Sequence, residues 1–347
     1  MSRSLTVAVV GATGAVGREI LATLEARNFP ATQIIPLASA RSAGSTVSFK
    51  GSELTVRELT AESFKGVDLA LFSAGREIAK NFAPQAVKSG CVVVDNSSCW
   101  RMDERCPLVT PEVNAHALKK HKGIIANPNC STIQMVVVLA PLHKVASIRR
   151  VVVSTYQSVS GTGQKAIEEL ETQVRHMFNM TEPEVKVYPH RIAFNCLPHI
   201  DTFLENDYTK EEMKMINETV KIMEDPTIRV TATTVRVPVF YSHAESVNIE
   251  FAKPFSPKEA RAILSVSPGV VVLDNPAEKI YPMPIQAAGE DEVFVGRIRL
   301  DETQPNTLNL WIVADNIRKG AALNAVQIAE QLVRDDLVRV SDPGAFA

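Results

Sequence analysis

The sequence predicts an α/β protein of two domains, one on a parallel sheet covered by helices and one of α+β type on a mixed sheet. Three observations carry this. Apolar strands alternate with helical patterns at the start of the chain, and longer β-rich runs replace them after about residue 128. The 347 residues also exceed the ~250–300 that one core usually serves.

In the first part, Leu5–Val10 is a β-branched apolar run and Val16–Arg27 carries apolar residues at helical spacing. Ile34–Ala38 and Val67–Ser73 read as strands, Glu77–Ser89 as a helix and Cys91–Asp95 as a further buried strand. Strands that are apolar nearly throughout belong to a parallel sheet with both faces covered. In the second part, Arg149–Gln157, Val230–Tyr241, Ala244–Phe251 and Leu308–Ala314 are strand patterns, several with alternation. Gln164–Phe178 and Glu211–Glu224 read as helices, the latter with Met213, Ile216, Val220 and Met223 at helical spacing. An amphipathic helix, Ala321–Arg334, closes the pattern and is expected to pack on the first domain. The expected division is 1–128 plus 316–347 for one domain and 129–315 for the other. Thr181–Pro198 and Asn275–Gln286 are expected to be irregular surface segments.

A net charge of -2 offers no basic field for nucleic acid and no polybasic face for a membrane. No run approaches the ~18 apolar residues of a membrane span. The sequence enters a strand pattern without an apolar signal core, so a cytoplasmic protein is expected. The five cysteines include no C-x-x-C pair, which argues against a disulfide framework and against a metal site.

Gly11-Ala12-Thr13-Gly14-Ala15-Val16-Gly17 follows the first strand and opens the first helix. The glycines allow a tight turn and close backbone approach, and the helix N-terminus offers free N–H groups to a pyrophosphate. This points to a Rossmann-type dinucleotide-binding domain; the bland alternative is a purely structural strand–helix turn. An NAD site usually has an acid after the second strand to hold the ribose 2′-hydroxyl. Here the residues are Ser39-Ala40-Arg41-Ser42, a guanidinium and two hydroxyls suited to a 2′-phosphate, which favours NADP. A solvated loop arginine is the competing reading.

Asn127-Pro128-Asn129-Cys130-Ser131-Thr132 lies between an apolar run and a helical pattern, placing Cys130 at a helix N-terminus. There the helix dipole favours a thiolate and N–H groups stabilise a developing oxyanion. Cys91 and Cys196 read as buried core residues, and Cys99 and Cys106 receive no role.

The glycine loop, Ser-Ala-Arg-Ser, Pro-Asn-Cys-Ser-Thr, Gln157-Ser158-Val159-Ser160-Gly161, Glu211-Glu212-Met213-Lys214, and Arg236-Val237-Pro238 followed by His243 stand in one order along the chain. In this the sequence resembles the aspartate-semialdehyde dehydrogenases, most of all the form common in Gram-positive bacteria, over essentially its whole length. Tyr241-Ser242 departs from the glycine common before that histidine.

The resemblance implies a Cys130 nucleophile that forms a thioester from aspartyl phosphate and releases phosphate, the thioester then being reduced to aspartate semialdehyde with NADPH. This step serves lysine, threonine, methionine and diaminopimelate biosynthesis. His243 would be general acid/base, and Gln157 and Asn129 would orient the substrate. Arg236 would clamp its carboxylate and Glu211 face its amine. Arg101 and Lys214 would hold phosphate, Ser160 and Gly161 would close over the cofactor, and Asn316 would lie near the nicotinamide. A homodimer, or a tetramer of dimers, is implied, with the second sheet as interface.

Read without the family, a lone histidine is more often structural, and Glu211 and Lys214 at i,i+3 usually mark a solvated salt bridge. N-acetyl-γ-glutamyl-phosphate reductase shares the thioester chemistry, but its substrate amine is acylated and gives Glu211 nothing to face. Glyceraldehyde-phosphate dehydrogenase fits less well, lacking the acid for NAD and sharing no cysteine context. From another class, an NADP-binding redox sensor could use Cys130 without turnover, yet it would have no need of Gln157, Arg236 and His243.

Overall fold

The computed structural model describes residues 4–346. The chain divides at Asn129/Cys130 and again at Gly320/Ala321, so its last segment joins its first. Residues 316–320 thus group with the second unit rather than the first. Asn316 accepts a hydrogen bond from the Ser242 backbone at 2.9 Å, and Gly320 abuts Cys130.

The first unit runs β1 (Leu5–Val10), α1 (Ala15–Ala26), β2 (Ala31–Ala38), β3 (Thr46–Phe49), β4 (Ser52–Thr55), β5 (Arg57–Glu58), β6 (Leu69–Phe72), α2 (Arg76–Lys88), β7 (Val92–Asp95), α3 (Pro111–Asn114) and β8 (Ile124–Ala126). Six strands form a parallel sheet in the order β5-β2-β1-β6-β7-β8. Numbered within the sheet this is 3-2-1-4-5-6, the doubly wound order in which a dinucleotide lies across the crevice where the winding reverses. The strands are buried almost throughout, as their unbroken apolar runs require. The separate β3–β4 hairpin escapes a reading by hydrophobic pattern because its strands are short and largely exposed. Its turn residues Lys50 and Gly51 both have positive φ, 49° and 71°, as the twist of a tight hairpin demands.

The second unit runs α4 (Cys130–Ala146), β9 (Ile148–Gln157), α5 (Gln164–Phe178), α6 (Lys210–Met223), β10 (Arg229–Arg236), β11 (His243–Phe251), α7 (Pro257–Leu264), β12 (Val270–Val272), α8 (Pro284–Ala287), β13 (Val293–Leu300) and β14 (Thr307–Ala314). Its sheet is mixed, in the order β10-β9-β11-β14-β13-β12. Parallel pairs flank a core in which β11 runs antiparallel to both neighbours. β10 stops at Arg236, short of the expected Tyr241. Val237 donates to the Gln157 carbonyl at 3.0 Å, and Pro238, with no N–H to give, follows at once.

The helix α9 (Leu323–Arg334) packs on α1, α3, β6 and β7 of the first unit. Thr181–Pro198 is irregular but not all surface. Gln173 of α5 accepts from the backbones of Ile192 and Ala193 at 3.0 and 3.1 Å, and both residues are buried in a small cluster with α5. Cys91 is buried as expected. Cys196 is exposed, in an irregular stretch beside a local Asn195 turn, so the core reading of that cysteine is corrected.

Candidate active site

The antiparallel register of β9 and β11, and the parallel register of β9 and β10, bring side chains on one sheet face into rows. Ala232, Val153, Val247 and Leu310 form an apolar row across β10, β9, β11 and β14. Thr234, Thr155, Glu245 and Ile312 form the next. The last row joins Arg236 to Gln157, with His243 one step beyond the Ala244–Tyr156 pair. Chemistry thus grows out of the hydrophobic core along one strand direction, at the C-terminal ends of β9 and β10.

The helix α4 covers this face, packing on β9, β11, β13 and β14. It is buried nearly all round, which is why its sequence shows no helical stripe. Only Ser147, at φ +52°, separates it from β9, and His143 accepts from the Ile148 backbone at 3.0 Å. So tight a connection makes α4 antiparallel to β9. Cys130, the first residue of α4, therefore stands at the same end of the unit as Gln157, the last residue of β9. Gly320 makes this approach possible: a Cβ there would come within 2.8 Å of the Cys130 Cβ.

Arg236 is 5% exposed, and its Nη1 donates to the Ser158 carbonyl at 2.6 Å. His243 is fully buried. Its Nδ1 accepts from the Ser158 backbone N–H at 3.1 Å and lies 3.1 Å from the Ser158 hydroxyl. That hydroxyl, like the hydroxyl of Ser160, donates to Oδ1 of Asn316 at 3.1 Å. Ser158 thus offers Nδ1 both a donor and an oxygen lone pair, so either tautomer of the ring has a partner. Burial first, then the Arg236 guanidinium, push the His243 pKa down to about 3 against the pull of Glu211. At neutral pH the ring is uncharged. Neither Nε2 of His243 nor Nε of Arg236 has a hydrogen-bond partner among the described residues.

Glu211 is not the solvated member of a helical salt bridge. Its Oε1 accepts from Gln157 Nε2 at 3.2 Å and its Oε2 from Lys214 Nζ at 3.0 Å, with Glu211 itself buried. Lys214 also reaches Asp201 at 2.8 Å. Burial opposes the ammonium charge, but the two carboxylates outweigh it and raise the Lys214 pKa. A Thr209–Glu212 capping box fixes the start of α6 and so the direction of Glu211 and Lys214.

Ser160 and Gly161 lie in the turn after β9, and both ends of the Asn316 amide are engaged there. A Cβ at Gly161 would meet Arg236 Nη1 at 3.0 Å and His243 Nε2 at 3.2 Å, while the backbone there is not left-handed. Gly161→Ala is therefore expected to keep its melting temperature while kcat/KM falls about tenfold, from shifts short of the ~1 Å that costs 10². Steady-state kinetics beside a thermal melt check this.

Arg101, Asn129 and the glycine loop belong to the first unit. Arg101 is buried, donating through Nε to the Asn127 carbonyl at 3.0 Å and through Nη2 to the Asn96 carbonyl at 2.8 Å. Asn127 Nδ2 donates to Asn96 Oδ1 and Asn324 Nδ2 to Asn127 Oδ1, which locks the segment leading to the buried Asn129. Asp95, beside them, is raised to about 6 by burial, against its hydrogen bonds from Ser97 and the charge of Arg101. The glycine loop fits a dinucleotide. Gly11 has φ +83°, a Cβ at Gly17 would collide with the Gly11 carbonyl at 2.1 Å, and the first turn of α1 holds no acid to repel a pyrophosphate. Thr13, Gly14, Ala15 and Val16 are at least partly accessible, as are Ser39, Arg41 and Ser42 after β2. Among the described residues no cluster suits a metal ion.

Sequence reasoning missed Ser158, Thr155, Asp201, Glu245 and Gly320. Ser158 stands within the Gln157–Gly161 motif but received no role there, whereas Asp201 sits in an irregular segment with no pattern to mark it.

The chain matches two family models in order, "Semialdehyde dehydrogenase, NAD binding domain" over residues 6–121 and "Semialdehyde dehydrogenase, dimerisation domain" over 139–319. It is 59% identical to the aspartate-semialdehyde dehydrogenase of Aquifex aeolicus, covering 96% of this chain and 99% of that one. The Bacillus subtilis enzyme is 52% identical, with 97% and 100% covered. Among solved structures, aspartate semialdehyde dehydrogenase II from Vibrio cholerae superposes with a TM-score of 0.94 at 47% identity, covering 96% of this chain and 99% of that one. With motifs, sheet orders and full-length identity in agreement, the chain belongs to the aspartate-semialdehyde dehydrogenase family.

Proposed function

We propose that this chain reduces L-aspartyl 4-phosphate to L-aspartate 4-semialdehyde with NADPH, through a thioester on Cys130. The observation that carries this reading is the row Arg236–Gln157–His243 at the end of the sheet where the helix bearing Cys130 begins. The Cys130 sulfur attacks the acyl carbon, the C–O bond to phosphate breaks, and phosphate leaves with the bonding pair. His243 in its Nδ1–H form, donating to Ser158, takes the thiol proton at Nε2; once the acyl carbon has been reduced, the C–S bond breaks, the aldehyde is released, and the imidazolium returns that proton to the sulfur. NADPH, when bound, supplies the hydride.

Arg236 presents a fork to the substrate's α-carboxylate, Glu211 faces its ammonium, and Gln157 and Asn129 orient the acyl group. Arg101 and Lys214 hold the phosphate. Ser160 and Gly161 close over the cofactor, with Asn316 bracing that turn near the nicotinamide. Glu211 disfavours N-acetyl-γ-glutamyl phosphate, which has no free amine.

The glycine loop with Thr13, Gly14, Ala15 and Val16 receives the pyrophosphate of NADP, and Ser39, Arg41 and Ser42 its 2′-phosphate. We assign residues 1–128 with the C-terminal helix to cofactor binding and the mixed-sheet domain to catalysis and dimerisation. The outer face of that sheet carries Tyr156 and Trp311 in contact at 5.4 Å, aromatic surface suited to a second copy. A free thiol nucleophile suits the reducing cytoplasm, and none of the described helices is long and apolar enough to cross a membrane.

Phosphate-dependent reduction of NADP with aspartate semialdehyde tests the reading, and no turnover would end it. In the same assay Arg41→Ala is expected to raise KM for NADP about tenfold, the worth of one charge-assisted contact of ~1.5 kcal/mol, and to leave KM for NAD unchanged. Equal effects on both would make Arg41 a surface residue.

A further inference from the structure

Glu245 is fully buried on β11, two residues beyond His243 and on the same face of the sheet, and no step of the reaction uses it. Its strand neighbours are Thr155 on β9 and Ile312 on β14. From the covering helix, Gln134 comes close enough for its side chain to act on the charge of the carboxyl, while Gln134 Nε2 and both Glu245 oxygens are buried without a hydrogen bond of full geometry. A buried carboxyl so sparsely satisfied is costly, and a methionine would fill the same space at less cost. Its retention one row behind the catalytic residues calls for a reason beyond packing.

The geometry supplies one. Gln134 is one helical turn after Cys130, a step of ~5.4 Å along α4. Successive same-face residues on a strand are ~6.8 Å apart. The two periods nearly coincide here, so contact between Gln134 and Glu245 in the second row sets Cys130 opposite the first. We propose that Glu245 is a positioning residue for the nucleophile: from the row beneath the catalytic one, its carboxyl braces Gln134 and with it the first turn of the helix that begins at Cys130.

The brace works as an uncharged acid. Burial, the larger effect, drives the Glu245 pKa well above the usual carboxylate range against the opposing pull of Gln134. The titratable groups of its row and the next are His243 on its own strand, Arg236 on β10, Cys130 at the start of α4, and Glu211 and Glu212 from α6, with Glu212 bonded to the Thr234 backbone at 3.0 Å in Glu245's row. His243 is uncharged, and the Arg236 guanidinium turns to the Ser158 carbonyl rather than to Glu245. A neutral carboxyl adds no negative charge behind the helix N-terminus on which a thiolate depends.

The inference rests on Cys130 being the nucleophile, and its test keeps the two apart. Glu245→Met and Gln134→Met remove the brace at nearly constant length, and Glu245→Gln keeps a neutral polar group of the same shape. Both methionine variants are expected to lower kcat by at least ~10-fold with KM for aspartate semialdehyde within about twofold, because a misplaced nucleophile loses rate rather than binding. Alkylation of Cys130 by iodoacetamide should slow in parallel. Glu245→Gln should restore most of kcat.

The glutamine variant has a second signature. In the unfolded chain the carboxyl ionises near 4.5, in the folded one only well above that, so folding takes up a proton between the two values. The contribution of this carboxyl to stability therefore falls as pH rises above about 4.5. The melting-temperature advantage of Glu245→Gln should widen over that range. Natural kcat and alkylation in both methionine variants, or a Glu245→Gln as impaired as Glu245→Met with a pH-independent melting difference, would overturn the proposal. If Glu245→Met does not fold, Gln134→Met carries the kinetic test. A Cys130→Ser protein that stays active would remove the nucleophile instead, whatever the Glu245 variants show.

Discussion

Cys130→Ser is expected to fold, to bind NADPH as before, and to lose at least ~10³-fold in kcat, as nucleophile removal does elsewhere. The fold should not notice the change, since serine is the smaller residue and the close neighbour, Gly320, has no side chain to lose contact with. The chemistry should notice it doubly. A hydroxyl at neutral pH is a poor nucleophile, and the ester it would form is a poor hydride acceptor and leaving group beside a thioester. Iodoacetamide should label Cys130 fastest among the five cysteines, of which Cys196 is the exposed competitor. Faster labelling at Cys196 together with an active serine variant would show the mechanism to be wrong.

Arg236→Lys is the second large effect, expected to lower kcat/KM for aspartate semialdehyde at least ~10²-fold, the cost of a shift of about 1 Å at the reacting atom. Lysine keeps the charge and loses the fork, so a planar carboxylate is no longer gripped at two points. The backbone at this position is independently secured: Arg236 and Leu197 exchange both hydrogen bonds, at 2.8 and 2.9 Å. The melting temperature should therefore move little, and NADP binding not at all. A simple aldehyde without an α-carboxylate should be a poor substrate for both proteins. Unaltered kcat/KM with a lowered melting temperature would make Arg236 a structural cap to β10.

Much of this was legible before the fold was seen. The parallel sheet announced itself because strands buried on both faces must be apolar almost throughout, as in Leu69–Phe72 and in Val92–Asp95 up to its final acid. The second sheet showed as alternation because α4 and α6 cover one of its faces. The weak β3–β4 hairpin carried too few apolar residues to register, and β12, though valine throughout, is only three residues long. At the site, motif order supplied Cys130, Gln157, Arg236 and His243. The partners that orient them were hidden, since a register such as Thr155 opposite Glu245 depends on long-range pairing that local spacing does not encode. Glu211 and Lys214 show the same limit from the other side: i,i+3 spacing suggested a solvated pair, and only the sheet beneath turned Glu211 inward to Gln157. Cys196 was misjudged because cysteine is usually buried, and nothing nearby in the sequence announced that Asn195 would turn it outward.

The late return of α9 to the first sheet has a consequence for synthesis. Val326, Ile328, Ala329 and Leu332 complete a core with Leu69, Leu71, Val92 and Val94. A ribosome delivers those strands early but releases their covering helix only after the entire second unit has emerged. Through that interval α1 covers part of one face, but the part over β6 and β7 lacks its helix, and such a sheet is stable only when both faces are covered. The second unit is contiguous and can close on itself while the first still waits. Chaperone demand should accordingly concentrate on the segment made first and finished last.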